Sequence, residues 1–198
     1  MAKTVMAFVA VPVVILLAFF AWKLTSRSAY ESAEYTVLEQ DGHFEIRRYP
    51  DLMLASTRMK SGLSGDDGSF MRLFGYISGD NDNSQKVSMT TPVFMETADD
   101  AEEGHMGFVI PKDVAGQRVP EPSSGDVEIR RRSGGRFAVI YFDGQMTSCS
   151  TRSAEHKLRS WMTSRGLRGE DAAEYAGYDP PWTPGFLRRN EVLVRLSD

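Results

Sequence analysis

Apolar and polar residues alternate along two short stretches that read almost alike, Phe44-Glu45-Ile46-Arg47-Arg48-Tyr49 and Val127-Glu128-Ile129-Arg130-Arg131-Arg132. A period of two predicts strands. In the first, Phe44, Ile46 and Arg48 share one face, while Glu45, Arg47 and Tyr49 share the other, where opposite charges can pair. Each copy is followed by a small turn and a second apolar run, Leu52-Met53-Leu54-Ala55-Ser56-Thr57 and Phe137-Ala138-Val139-Ile140-Tyr141-Phe142, so each half is expected to begin as a hairpin. The period then becomes helical. Over residues 67–78, Phe70, Leu73, Phe74 and Ile77 make a core stripe; over 151–165, Ala154, Leu158, Trp161 and Met162 do the same. Apolar strands over 87–96 and 191–196 close the halves. The repeated strand-strand-helix-strand order predicts an α+β domain built from two copies of one unit about a pseudo-twofold axis.

Smaller signals fill in the chain. An Asp41-Gly42 pair predicts a tight turn between a strand at 35–39 and the first E-I-R-R strand. Asp66 or Asp67 is the expected cap of the first helix and Gly79 its stop. Beside that helix's core stripe runs a second line, Met71, Gly75 and Ser78, where Gly75 either leaves room for a flat ligand or packs closely on the sheet. Pro92 breaks the strand at 87–96. The Pro- and Ser-rich stretch 111–125 links the halves inside one domain, since neither half has enough apolar surface for a core of its own.

Residues 5–22 are uncharged and apolar, flanked by Lys3 on one side and Lys23 and Arg27 on the other. Roughly 20 such residues span a bilayer core, so 1–24 is read as an uncleaved membrane anchor, with a cleaved signal as the alternative. Residues 25–34 are then a stalk and 35–198 the domain; Lys3 and the amino terminus compete with Lys23 and Arg27 in setting its side, with an exported, periplasmic domain as the reading and the opposite orientation as the alternative.

With 198 residues, 41% hydrophobic and 25% charged, the chain suits one well-buried domain plus a tail. A net charge of −4 argues against nucleic acid as a partner. Cys149 is the one cysteine, so neither an intrachain disulfide nor a paired-Cys metal site can form. No nucleophile elbow, phosphate-binding glycine loop or H-E-x-x-H is present, and a non-catalytic protein is expected.

The most distinctive stretch is Gly177-Tyr178-Asp179-Pro180-Pro181-Trp182-Thr183-Pro184, followed by Arg188-Arg189-Asn190-Glu191-Val192. Together with Glu45-Ile46-Arg47 and Met89-Thr90-Thr91-Pro92-Val93 it resembles the SOUL family of haem-binding proteins, and the resemblance runs from Tyr35 to Leu196. It implies a distorted β-barrel of two pseudo-symmetric halves, similar to the ligand-binding domains of multidrug-responsive regulators. It also implies non-covalent binding of haem or another tetrapyrrole in a surface groove between the first helix and the proline loop. The matching positions are Phe74 and Gly75 on the helix and Pro181 and Trp182 on the loop. Arg72 and Arg188 are added as propionate partners because guanidinium pairs well with carboxylate, with surface ion pairing as their alternative role.

One departure stands out: some relatives carry a His, proposed as an axial ligand, where this chain has Arg48. Haem would then be held by burial of its apolar faces and by its propionates, or by a ligand such as His43, His105 or a Met; His43, His105 and His156 each have an ordinary solvated role as the alternative. C-x-x-C-H is absent, so covalent attachment is not signalled. Three other readings compete. One is a sensor of cationic small molecules using Glu191, unless Arg195 or another arginine neutralises it. The others are a tetrapyrrole-modifying enzyme, for which no acid or base is apparent, and a protein-interaction scaffold at the Pro-Trp loop.

Overall fold

In the computed structural model, which describes residues 30–60, 67–97, 104–180 and 183–197, strand pairing crosses between the two halves. The elements are β1 (Glu31–Ser32), β2 (Thr36–Asp41), β3 (Phe44–Tyr49), β4 (Leu52–Met59), α1 (Ser69–Ser78), β5 (Thr90–Thr91), β6 (Val93–Thr97), β7 (Gly104–Val109), α2 (Lys112–Ala115), β8 (Glu128–Arg132), β9 (Gly135–Asp143), α3 (Ser148–Ser164), β10 (Gly169–Gly177), a 3-10 turn (Gly185–Leu187) and β11 (Arg189–Leu196). Among the described residues nine strands form one antiparallel sheet in the order β2-β3-β9-β11-β10-β6-β7-β4-β8.

The two expected hairpins do not form. β3 pairs with β9 and β4 with β8, so each half's first strand joins the other half's second. The register runs through the corner without a slip, from Glu45 opposite Val139 and Tyr49 opposite Gly135 to Leu52 opposite Arg132 and Ser56 opposite Glu128. Only Pro50 and Asp51 separate β3 from β4, and neither takes the positive φ that the favoured two-residue turns need, so the chain bends instead of reversing. Asp51 fixes the bend: its Oδ1 accepts the Gly134 N–H at 2.7 Å and its other oxygen pairs with Arg131. A true hairpin does join β2 to β3. Its central residues are Gly42 and His43, of which only Gly42 takes positive φ (59°).

The implied barrel does not close, because β2 and β8 are opposite edges of the sheet. Every residue of β2 is exposed, and nothing in the sheet beyond β3 pairs with it. Closure would need this strand to meet β8, which pairs with β4 alone.

Both faces of the sheet are buried. α1 packs on β4 and β7, and α3 on β9 and β11. Their apolar residues, including Leu73 and Ile77 of α1 and Ala154, Leu158 and Met162 of α3, share one cluster with Met95, Phe108, Val192 and Val194. The inner face carries a second cluster of Tyr49, Leu54, Phe94, Phe137 and Leu193. Phe74 leaves the expected core stripe and is 38% exposed; Tyr76 is buried in its stead, its hydroxyl donating to the Pro120 carbonyl at 2.9 Å. α1 starts at Gly68 (φ 81°), with Asp67 Oδ1 accepting the Ser69 N–H at 3.0 Å, and stops at Gly79. α3 starts at a reciprocal Thr147–Ser150 capping box. Trp161 stacks on Phe44 at 5.0 Å, so it is less buried than the stripe suggested.

A strand that the hydrophobic pattern does not mark, β10, pairs with β11 on one side and β6 on the other. The expected strand at 87–96 is divided at Pro92 into β5 and β6. Of the expected stalk at 25–34, residues 30–34 are described and lie against the domain. Glu31 and Ser32 pair with Thr90 and Thr91, Ala33 is buried, and Tyr35 lies against Arg47. The expected anchor at 1–24 lies outside the described residues, as do Pro181 and Trp182.

Candidate functional site

On α1, where one wall of the groove is expected, the outward face carries apolar side chains. Met71 is 63% exposed and Phe74 lies one turn on, stacked 6.3 Å from Phe70. The side of Gly75 is not clear: a Cβ there would stand 2.6 Å from Asp80 Oδ2, so the Asp80 carboxylate fills the space that the missing side chain leaves. Arg72 is tied inward. Its Nε donates to Thr57 Oγ1 at 3.0 Å, its Nη1 to the Asp67 carbonyl at 3.1 Å and its Nη2 to the Arg58 carbonyl at 2.6 Å, which fastens α1 to β4.

Around the proline loop, where the other wall is expected, the described residues bond to one another. Thr183 N–H donates to the Pro180 carbonyl at 2.9 Å, Leu187 N–H to the Pro184 carbonyl at 2.9 Å, and Arg188 Nε to the Thr183 carbonyl at 2.8 Å. Asp179 Oδ2 accepts the Arg189 N–H at 2.7 Å, closing the loop at its root. The 3-10 turn presents Phe186, 78% exposed, with Leu187 beside it. Phe186 and Met71 are the most exposed large apolar side chains among the described residues, and they sit on the two elements expected to line the groove.

The three histidines lie elsewhere. His43 in the β2–β3 turn lies tilted against Tyr141 with ring centroids 4.5 Å apart, His105 is on β7 opposite Arg58 and Glu96, and His156 is exposed on α3.

Glu191 sits at the centre of the inner face, fully buried. Arg47, also fully buried, donates Nη1 to its Oε2 at 2.7 Å and Nη2 to its Oε1 at 3.0 Å. Arg189 adds a bond to Oε1 at 2.8 Å and the Tyr178 hydroxyl one to Oε2 at 2.9 Å. Arg47 also reaches Glu45 at 2.6 Å and the Tyr49 hydroxyl at 3.1 Å. Burial alone would pull the Arg47 guanidinium down, but the bond and charge of Glu191 outweigh it and hold it above its ordinary value. Alternation puts Glu45 and Arg47 on one face, as found. Arg47 as the partner of Glu191, and not Arg195, follows from β3 and β11 flanking β9, which no local pattern reveals.

The SOUL heme-binding protein model matches residues 30–195. The chain belongs to the SOUL heme-binding family. Heme-binding protein 1 of Xenopus laevis is 30% identical over 163 residues, covering 78% of this chain and 84% of the relative. Heme-binding protein 2 of Mus musculus is 29% identical over 164 residues, covering 78% of each. Among solved structures, the EcmrR C-terminal domain superposes with a TM-score of 0.58 at 13% identity, over 83% of this chain and 98% of that one. A hydrolase from Listeria innocua gives 0.56 at 14%, over 81% and 94%. These structural likenesses show the α+β fold alone. SOUL membership marks a binding family, and it does so over nearly the whole described sheet.

Proposed function

We propose that this SOUL protein holds haem or a related tetrapyrrole without covalent attachment, in a surface groove between α1 and the proline loop, as a membrane-tethered binder or carrier that does no chemistry on its ligand. The observation that carries the reading is the exposure of Phe186 and Met71, with Phe74 beside the latter, on those two elements. Apolar side chains left in water on a ligand-binding fold are what a porphyrin's flat faces would cover. The propionates would lie at the groove's rim, near Arg188, while Arg72 keeps its three bonds to β4 and the α1 entry. Phe74, Gly75, Pro181 and Trp182 remain the proposed contact residues, with Asp80 beside Gly75 as part of that wall. No iron ligand is assigned. The similar order of elements in the two halves supports duplication of one unit.

A cationic ligand at Glu191 is not favoured, because that carboxylate already takes four hydrogen bonds from Arg47, Arg189 and Tyr178. The test is a haemin titration of the full chain followed by absorbance, with Phe74→Ala and Trp182→Ala alongside. A saturable one-to-one change, weakened in both variants, is expected. Non-saturable uptake that is the same in all three proteins would overturn the reading.

A further inference from the structure

The inner face carries a second charged centre, which the groove does not use. β8 sets Arg130 and Arg132 on that face, opposite Leu54 and Leu52 of β4. Arg132 is 4% exposed, and its guanidinium lies against the rings of Tyr49, Phe94 and Phe137 at 5.0, 4.4 and 4.5 Å. Its Nε donates to Glu174 at 2.7 Å and its Nη2 is in ion-pair contact with the same carboxylate at 2.6 Å. Its Nη1 has no hydrogen-bond partner among the described residues. Arg130 gives Nη2 to Glu96 at 2.7 Å and leaves its buried Nε likewise unmet. Buried donors are seldom left so, because the water they lost is then not replaced.

Arg47 supplies the contrast. It is the third residue of the first E-I-R-R stretch as Arg130 is of the second, yet all three of its side-chain nitrogens meet a carboxylate or a phenol. The arginines of β8 differ in their shortage of acceptors. Aromatic faces can hold a guanidinium's charge, but they offer no lone pair to an in-plane N–H.

Arg130 and Arg132 line a cleft of 630 Å³ that also takes in Arg131, Arg195 and His105. Its arginines outnumber its carboxylates, Glu96, Glu170 and Glu174. Burial pushes the Glu174 carboxyl up from its ordinary range in spite of Arg132. Arg130, with 31% of its side chain exposed, is the accessible member, and Arg132, with 2%, the buried one.

We infer that this cleft binds a small oxyanion, a carboxylate or phosphate group, that supplies Arg130 and Arg132 with the acceptors they lack. Guanidinium forks suit both groups, and the ring-lined low-dielectric wall strengthens the attraction.

The test is calorimetric titration of the full chain with inorganic phosphate and, separately, with succinate, at ionic strength matched with chloride. Saturable one-to-one binding of at least one probe is expected, and the probe that binds tells phosphate from carboxylate. Charge-assisted hydrogen bonds of this kind make Arg130→Gln weaker by about ten-fold or more. Arg132→Lys keeps a cation beside Glu174 and the rings, so it folds, but it lacks Nη1 and also binds more weakly. Haemin uptake by both variants stays at the level of the parent, which separates this cleft from the groove. Neither probe saturating, or both variants binding as the parent does, would overturn the inference.

Discussion

Arg47 on β3 and Glu191 on β11 face each other across the intervening strand β9, joined by two hydrogen bonds of 2.7 and 3.0 Å with both residues fully buried. The pair neutralises the Glu191 carboxylate at the middle of the inner face and ties strands that are not neighbours in the sheet.

Removing either partner leaves the other charged in the interior. Glu191→Gln or Arg47→Met is therefore expected to cost about 3–5 kcal/mol, read as a fall in the urea midpoint. Glu191→Gln combined with Arg47→Met is expected to cost less than the sum of the single changes, since the two share one interaction. Additive costs would show that Glu45, Arg189 and Tyr178 hold the cluster without the pair.

Burial pushes the Tyr49 and Tyr76 phenols up to about 12, and that of Tyr178 well above its ordinary value. An unfolded chain loses these protons near pH 10. Each raised group therefore contributes stability that is complete below about pH 10 and is lost as pH rises toward the folded-state values. Urea midpoints are expected to fall between about pH 10 and about pH 12, while tyrosinate absorbance shows a late-ionising class. Tyr76→Phe, which cannot ionise, should flatten part of that fall.

Phe186 on the 3-10 turn is largely in water, so Phe186→Ser is expected to leave the unfolding free energy from urea titration within about 0.5 kcal/mol of the parent. Haemin affinity in the same variant should drop by about five- to thirty-fold, because the ring's apolar burial against the ligand is worth ~1–2 kcal/mol. An unchanged titration would move the binding surface off the turn.

At the corner between the long strands, a Cβ on Gly134 would stand 2.6 Å from the Tyr49 carbonyl oxygen and from the Pro50 carbonyl carbon. Backbone cannot yield there as a side-chain tip would. Gly134→Ala is expected to lower the melting temperature strongly, whereas Gly125→Ala, with open space around it, should leave it almost unchanged.

Local pattern made much of this fold legible. Both helices stand within a few residues of the stretches that their apolar stripes marked, and the alternation in E-I-R-R put Glu45 and Arg47 on one face, where they bond. What escaped was decided at long range. Pro50 and Asp51 look like a turn, yet whether they reverse the chain or merely bend it depends on β8 and β9 arriving as partners from the far half. Phe74 fits the core stripe by spacing, but the sheet beneath α1 takes Tyr76, because its hydroxyl finds a carbonyl at Pro120. β10 alternates weakly, with Glu170, Asp171 and Glu174 among its residues, so no apolar face stood out. On the candidate site, the motif pointed to α1 and the loop, whereas no spacing along the chain could have shown that Arg72 would turn inward or that Asp80 would lie over Gly75.

The unbroken register through the corner also determines how the protein could be divided. A cut at Ser124 and Gly125, both exposed, separates β2–β7 from β8–β11. Each fragment keeps some sheet of its own, yet β3 and β4 lose β9 and β8, and β6 loses β10, so each carries open edges shaped for the other piece. Such fragments suit complementation: mixed together they have a single matching register to recover, and kept apart each presents an unsatisfied edge to any strand it meets.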